Sequence, residues 1–181
     1  MHMETNSVFW IKMLGCLMIF GGCTGLGLRL SGRLAERQRA LSKLQDILLN
    51  LKNQMCGLGI PLTTAFENIG KDCTGGVWSD VFTQCGKVIR EQHLDPGAAW
   101  KQTIQNAKGQ LPFDESGLNG LADFGEMLGK SDRMNQESVL DMEKQKIAVM
   151  EKVAREAMDT RGKLYRNLGA LTGAAVVILL I

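Results

Sequence analysis

The stretch Leu121-Ala-Asp-Phe-Gly-Glu-Met-Leu-Gly-Lys-Ser-Asp-Arg-Met-Asn-Gln136 predicts two helices joined by a tight corner. Leu121, Phe124 and Leu128 recur at three- and four-residue spacing, so they share one helical face and are expected to be buried together. A glycine directly after the last apolar residue can adopt the left-handed conformation that ends a helix, which favours Gly129 as the stop. Lys130 beside it suits the negative end of the helix dipole.

The second helix of this corner is predicted to begin directly after Lys130. Ser131 can accept a hydrogen bond from the first free backbone N–H groups, and Asp132 suits the positive end of the helix dipole. Gly125 and Gly129 are four residues apart, which leaves a strip without side chains where another helix backbone can approach. The chain is therefore expected to fold back as an αα-hairpin whose structural motif comprises Gly125, Leu128, Gly129, Ser131, Asp132 and Gln136.

The letters Gly-Lys-Ser at positions 129–131 also occur in phosphate-binding loops, which is the alternative function for this corner. Such a loop needs a glycine five positions before Gly129, where this chain has Phe124. It also follows a β-strand, whereas the preceding segment here is predicted to be a helix. The pattern therefore favours a structural hairpin over nucleotide binding.

Composition excludes some classes of function. The 181 residues can bury one core, and 45% hydrophobic with 22% charged residues is typical of a folded protein. A formal net charge of +2 and an aromatic content of 6% give no sign of a nucleic-acid-binding surface. The five cysteines are odd in number and form no C-x-x-C pair, so they are expected to be reduced and to pack as small apolar side chains.

Both ends of the chain are apolar. Residues 13–28 carry no charge, and with residues 8–11 they are long enough to cross a bilayer core of about 30 Å. We predict a transmembrane helix over 8–30 after a tail at 1–7; the alternative is a cleaved signal peptide or a lipoprotein signal ending at Cys23. Residues 168–181 carry no charge either, which predicts a C-terminal membrane segment over 163–181, although it is short for a full span.

Residues 31–162 are predicted to form a helical domain between these ends. Its first helix carries a seam of apolar residues at heptad-like spacing, formed by Leu34, Leu41, Leu44, Leu48, Leu51 and Met55. Gly57 and Gly59 are expected to end this helix. Pro61 is expected to open a short helix closed by Gly70, and Asp95 to cap a later one. The last helix is predicted to exceed thirty residues, with a sparse seam of Leu140, Ile147, Val153 and Ala157. The fold class is therefore all-α, a compact antiparallel bundle of about six helices with membrane segments at both ends.

Charges flanking the apolar ends predict the orientation. Four arginines follow the first apolar segment, and four cations precede the second, whereas only Lys12 lies on an outer flank. The first group is Arg29, Arg33, Arg37 and Arg39, and the second is Arg155, Arg161, Lys163 and Arg166. Because cytoplasmic flanks carry the excess of Lys and Arg, the central domain is expected to face the cytoplasm.

The sequence contains no pattern typical of catalysis, since no nucleophile is paired with a base and no metal-ligand cluster occurs. We therefore expect a non-enzymatic protein without cofactor, metal, nucleic acid or small-molecule substrate. The candidate protein-interaction residues are Lys130, Asp132 and Arg133, which place both signs of charge at the corner. The alternative is a membrane-anchored signalling or scaffolding coiled coil whose long last helix forms a dimeric stalk.

Several motifs in order along the chain resemble the stage III sporulation protein AB family. They are the run from Leu128 to Arg133 with Gln136, Pro61-Leu-Thr-Thr-Ala-Phe66, Ala99-Trp100, and Gly162-Lys-Leu-Tyr-Arg-Asn-Leu-Gly169 before the apolar end. The family is similar to the cytoplasmic helical domain of type II secretion inner-membrane platform proteins. This chain departs from those platforms because it has one helical domain and one or two spans.

The resemblance implies a function and partners. It implies a platform in the mother-cell membrane around the forespore, within the secretion-like channel complex needed for endospore formation. The implied partners are a secretion-type sporulation ATPase, the other proteins of the stage III sporulation AA to AH complex, and the lipid bilayer. The platform would link the cytosolic ATPase to membrane ring components.

Overall fold

The computed structural model describes residues 3–72, 76–130 and 133–180, with the backbone alone at 3–12, 129–130, 133–134 and 179–180. This part of the chain is almost entirely helical and has no strand, which confirms the all-α prediction. Its α-helices are α1 (Met3–Lys52), α2 (Leu62–Asp72), α3 (Val77–Gln92), α4 (Pro96–Asn106), α5 (Glu115–Lys130), α6 (Arg133–Ala157) and α7 (Lys163–Leu180). Two π-helical turns, Asn53–Gly57 and Met158–Gly162, follow α1 and α6, so α6 continues into α7 without a break.

The chain divides into two units. One unit, here called the terminal hairpin, combines α1 up to Gln38 with the chain from Val153 onward. The other unit, Arg39–Lys152, is here called the bundle and contains the end of α1, α2 to α5 and most of α6.

Trp100 of α4 is at the centre of the bundle core and is fully buried. Its ring lies 5.1–6.1 Å, centroid to centroid, from three phenylalanine rings, Phe66, Phe82 and Phe124. Its indole N–H donates to the backbone oxygen of Leu121, at an N···O distance of 2.6 Å. Trp78 is buried in the same manner and donates to the oxygen of Ala40. Both indoles therefore meet their one hydrogen-bonding requirement inside the core.

The apolar stripes predicted from helical spacing are largely confirmed. In α1 the residues Leu41, Leu44, Leu48 and Leu51 are buried and Leu34 is half-buried, and Met55 is buried in the π-helical turn that follows. The predicted stripe of α5, formed by Leu121, Phe124 and Leu128, is buried as well. The helix end predicted around Gly57 and Gly59 is also found, because a π-turn ends at Gly57 and Gly59 has a φ of 71°.

The cap predicted at Asp95 is confirmed. Its carboxylate accepts from the backbone N–H groups of Gly97 at 3.0 Å and Ala98 at 3.4 Å, and Pro96 occupies the first turn of α4. These contacts satisfy backbone donors that have no partner inside the helix. This cap fixes where α4 begins and therefore where Trp100 enters the core.

Two expectations about helix ends and seams were wrong. Gly70 does not close α2, which continues to Asp72, because Gly70 packs inside the helix with its Cα face against Thr83 of α3. On α6, Val153 is 60% exposed, whereas the neighbouring Ala154 is buried. The buried positions of α6 are Leu140, Glu143, Ile147, Glu151 and Ala154, a regular stripe that includes two carboxylates.

Candidate functional site

The predicted corner falls between α5 and α6. α5 includes Gly129 and ends at Lys130, so Gly129 is a helical residue and the prediction that it stands after the helix end was wrong. Ser131 and Asp132 lie outside the described residues, and of the side chains of Lys130 and Arg133 the structure describes nothing. α6 begins at Arg133.

Three other residues of the predicted motif are described. Leu128 is fully buried, and Gln136 is half-buried on the first turns of α6. Gly125 lies directly beneath the Trp100 ring: a Cβ atom at Gly125 would be 2.0 Å from Cδ1 of the indole. The backbone of α4 also comes close, since a Cβ atom at Gly97 would be 2.9 Å from the oxygen of Gly125. Gly125 therefore allows α4 to pack on α5.

The helices on either side of the corner are neighbours. Nζ of Lys146 on α6 is 3.1 Å from the position that a Cβ atom would take at Gly120 of α5. Gly120 precedes positions 131–132 by about as many residues as Lys146 follows them. Because two residues so placed are in contact, α5 and α6 run antiparallel. Of the candidate residues, Lys130 is the last residue of α5 and Arg133 is the first residue of α6.

Glu143 of α6 is a charged group inside this hairpin that the sequence did not indicate. Only 4% of the residue is exposed. Its Oε2 atom lies 3.5 Å from Nζ of Lys146, and its Oε1 atom has no hydrogen-bond partner in the described part of the chain. Burial raises the pKa of Glu143 because it penalises the carboxylate form; Lys146 opposes this effect, and the charge of Asp123 on α5 adds to it.

This environment predicts a pH-dependent stability. Because the pKa of Glu143 is raised on folding, the folded protein keeps this proton to a higher pH than the unfolded chain does. The contribution of Glu143 to stability therefore falls as the pH rises above the ordinary glutamate value of 4.5. We expect Glu143→Gln to be more stable than the wild type at pH 7, by about 1 kcal/mol, and to match it near pH 4.

Thermal melts of the full chain between pH 4 and pH 8 measure this difference. The matched control is Glu91→Gln, because Glu91 is exposed at the end of α3. A stability difference between Glu143→Gln and wild type that stays constant over this pH range would contradict the account of Glu143.

Lys52, at the end of α1, connects the bundle's first helix to α6. Its Nζ atom lies 2.7 Å from Oδ2 of Asp141 and 3.1 Å from Oε1 of Glu137. The hydrogen bond to Asp141, and then that to Glu137, raises the pKa of Lys52. Lys52 and Asp141 are 89 residues apart in the sequence, so no local pattern could have predicted this pair.

No disulfide joins the cysteines that the structure describes, Cys16, Cys23, Cys56 and Cys85, as predicted for these four, whereas Cys73 lies outside the described residues. Burial raises the pKa of Cys85 to about 12, which keeps it a protonated, unreactive thiol. In the described residues no three His, Cys, Asp or Glu side chains are grouped as metal ligands would be.

Two grooves flank α4 on the surface of the bundle. One, of about 360 Å³, lies between α3 and α4 and is lined by polar side chains that include Asp80, Gln84 and Lys87. The other, of about 340 Å³, lies between α4 and α5, with Lys101 and Asp123 among its charged residues. Their mixed charges are typical of solvent-facing or protein-facing surfaces.

The terminal hairpin is held together by glycines. A Cβ atom at Gly27 of α1 would lie 2.6 Å from the backbone oxygen of Tyr165 on α7, and one at Gly169 would lie 2.9 Å from the oxygen of Cys23. Further along, Gly173 faces Phe20, and in the other direction Gly162 faces Ser31. Residues later in α1 thus contact residues earlier in the returning helix, so the two helices are antiparallel. Their backbones are in close contact.

The outer surface of this hairpin is apolar. Large hydrophobic side chains are exposed on both helices, including Leu17 and Met18 on α1 and Leu171 and Ile178 on α7. The helix Met13–Gly57 contains a long apolar segment, of which almost none is buried. By length and composition it is the one helix in the described residues that could cross a membrane. An exposed apolar surface with close glycine contacts between helices is typical of packing in lipid.

Comparison with known proteins gives consistent results. The family model described as stage III sporulation protein AB matches residues 12–181. The curated protein "Stage III sporulation protein AB" of Bacillus subtilis (strain 168) is 26% identical over 170 residues, covering 94% of this chain and 99% of its own length. A solved structure titled "Stage III sporulation protein AB (SpoIIIAB)" is similar with a TM-score of 0.63 and 25% identity, covering 68% of this chain and 97% of its own.

Proposed function

The chain belongs to the stage III sporulation protein AB family, and we propose that it is a non-enzymatic, membrane-anchored scaffold in the secretion-like channel complex between mother cell and forespore. Family membership supports a role in a sporulation complex. The terminal hairpin, with its exposed apolar side chains, supports membrane anchoring. The bundle supplies a folded surface for other proteins.

The observation that carries the scaffold proposal over a dimeric stalk is the burial of the helical seams within one chain. In α1 the seam residues Leu41, Leu44, Leu48 and Leu51 are at most 1% exposed, and in α6 so are Leu140 and Ile147. A two-chain coiled coil needs such a seam to face the partner. These seams are already filled inside the bundle, so these residues are not available to a second copy.

The geometry of the terminal hairpin supports the predicted orientation. Because α1 and α7 are antiparallel, the chain leaves the hairpin after Gln38 and returns at Val153 on the same side of it. Arg29 and Arg33 on α1 and Arg161 and Lys163 near the start of α7 lie at that end. The positive-inside bias thus favours a cytoplasmic bundle in the mother cell, with α7 inserted beside α1.

The partner we propose on the cytosolic side is a secretion-type ATPase that contacts the turn of the α5–α6 hairpin. Lys130, Asp132 and Arg133 place charges of both signs there. Charged groups at the rim of an interface mainly set the encounter rate and the specificity. The complex should therefore depend on these charges and on salt. Through it the ATPase would be linked to the membrane ring components among the other stage III sporulation AA to AH proteins.

We expect the double reversal Asp132→Lys with Arg133→Glu to reduce recovery of the ATPase several-fold at low salt, and less at high salt where the charges are screened, without unfolding the chain. The measurement is co-purification with the full chain from sporulating cells. The matched control reverses the adjacent exposed pair at the end of α2, Lys71→Glu with Asp72→Lys, which leaves the net charge equally unchanged.

Two results would count against the proposal. Full recovery of the ATPase with the double reversal would remove the hairpin turn from the interface. Micromolar nucleotide binding by the wild-type chain would contradict a role through protein binding alone, since Gly129, Lys130 and Ser131 would then act in the way that the letters of a phosphate-binding loop indicate.

A further inference from the structure

We propose that the end of the terminal hairpin nearest the bundle connections binds the phosphate headgroups of anionic phospholipids. The groups are five cations, here called the cationic collar: Arg29, Arg33, Arg161, Lys163 and Arg166. This inference rests on the proposed membrane anchoring and adds to it a preference for one class of lipid.

Packing of the two helices places the collar at one level. The Oγ atom of Ser31 lies 3.3 Å from the position of a Cβ atom at Gly162, so these two residues face each other. Arg29 and Arg33 are two residues to either side of Ser31, and Arg161 and Lys163 adjoin Gly162. Four charges from two helices therefore lie within about 3 Å of one level along the axis, at 1.5 Å per residue.

The collar cations are available to a ligand. All five are exposed, and none of them forms an ion pair within the described part of the chain. Arg37 and Arg155, the next arginines away from the apolar ends, do have partners. The unpaired charge is thus concentrated beside the apolar surface.

The order of charges along both helices fits an anionic membrane surface. On α1 the first charged residues after the apolar segment are Arg29 and Arg33, and the first carboxylate is Glu36. On the returning helix, Arg161, Lys163 and Arg166 lie between the apolar segment and the nearest carboxylates, which are Asp159 and Glu156. The cations therefore separate the apolar surface from the nearest carboxylates on both helices, at the depth where lipid phosphates lie.

Exposed apolar side chains accompany the collar on the side of the membrane. Leu28 and Leu30 on α1, and Leu164 and Leu168 on α7, are each about half exposed in the same turns. A phospholipid presents a phosphate close to the first methylenes of its acyl chains. At this level of the hairpin, the cations can bind the phosphate and the neighbouring leucines can contact the methylenes. Juxtamembrane cations of this kind are attracted to anionic leaflets, and the attraction decreases within a Debye length.

The experiment measures lipid retention by the full chain. Protein in an uncharged detergent is mixed with equimolar phosphatidylglycerol and phosphatidylcholine of matched acyl chains, and the co-purified lipids are quantified by mass spectrometry. We expect the wild type to retain phosphatidylglycerol over phosphatidylcholine about ten-fold at low salt. The ratio should approach one at 1 M salt and in a variant with all five collar residues changed to Gln.

The control variant removes five exposed cations from the bundle instead, with Lys43, Lys71, Lys87, Lys101 and Lys108 changed to Gln. Both variants have the same net charge, so a difference in their lipid ratios reports binding at the collar itself. The control should keep the wild-type ratio. The proposal is overturned if the collar variant keeps that ratio or if the control reduces it equally. If the collar variant aggregates, the wild-type protein alone decides: a lipid ratio that does not change with salt overturns the proposal.

Failure of this inference and failure of anchoring give different results. If the wild-type chain is released from membrane vesicles by alkaline carbonate, the anchoring proposal itself is wrong. If the chain stays in the vesicles but shows no preference between the two lipids, anchoring stands and the collar is not a lipid-headgroup site.

Discussion

Gly125→Ala is expected to lower the free energy of unfolding of the bundle by about 3 kcal/mol. The added methyl group would lie 2.0 Å from Cδ1, 2.4 Å from Cγ and 2.8 Å from Cβ of Trp100, far inside van der Waals contact. Alanine favours a helix over glycine by about 1 kcal/mol, so the measured loss is what remains after that gain.

Trp100 cannot move aside to accept this methyl group. Its indole N–H is hydrogen-bonded to the oxygen of Leu121, and a turn of the ring would leave that buried donor without a partner. Phe66, Phe82 and Phe124 hold the ring on its other sides. Relief must therefore come from separating α4 and α5, which opens the core.

Thermal unfolding of the full chain followed by tryptophan fluorescence measures this effect, because Trp78 and Trp100 are both buried in the bundle. Gly109→Ala is the matched control, since nothing lies within 4 Å of a Cβ atom there. A melting temperature of Gly125→Ala equal to that of the control would show that α4 and α5 are not packed through Trp100.

Features that depend on neighbouring residues in the sequence could be predicted. The stripe of Leu121, Phe124 and Leu128 is buried as its spacing indicated, because helical periodicity alone decides which side chains share a face. The cap at Asp95 was predictable for the same reason, since its hydrogen bonds reach only two and three residues along the chain. These local signals were enough for the fold class.

Features that depend on distant residues could not be predicted. The roles of Gly70 and Gly125 are set by Thr83 and Trp100, which lie on other helices, so reading Gly70 as a helix end failed. Val153 was expected to be buried because it is apolar, yet the buried stripe of α6 contains Glu143 and Glu151. Burial of a carboxylate depends on which helices surround it, and no periodic pattern records that.

For the candidate site the same division holds. The corner at residues 129–132 was a prediction from local sequence, whereas the ion pairs of Lys52 with Asp141 and Glu137 join helices far apart in the chain. The short C-terminal apolar segment was hard to interpret alone. Its contacts with α1 through Gly169 and Gly173 supply what its length does not, a partner helix.

Gly173→Cys is expected to form a disulfide with the natural Cys23 almost completely when membranes carrying the full chain are treated with a mild oxidant. A Cβ atom at residue 173 would lie 3.5 Å from Cβ of Cys23, within the range of disulfide bonds. The same Cβ would be 3.0 Å from the ring edge of Phe20, a side chain that can rotate outward.

This bond would join α1 to α7 across nearly the whole chain, so a protease cut in the bundle followed by non-reducing electrophoresis detects it. Gly15→Cys is the matched control, because nothing lies within 4 Å of a Cβ atom there. The bond must also disappear when Cys23→Ser is added to Gly173→Cys. Equal cross-linking of the Gly15 and Gly173 variants, or none in either, would show that α7 does not lie beside α1, and the proposed insertion of α7 beside α1 would then be wrong.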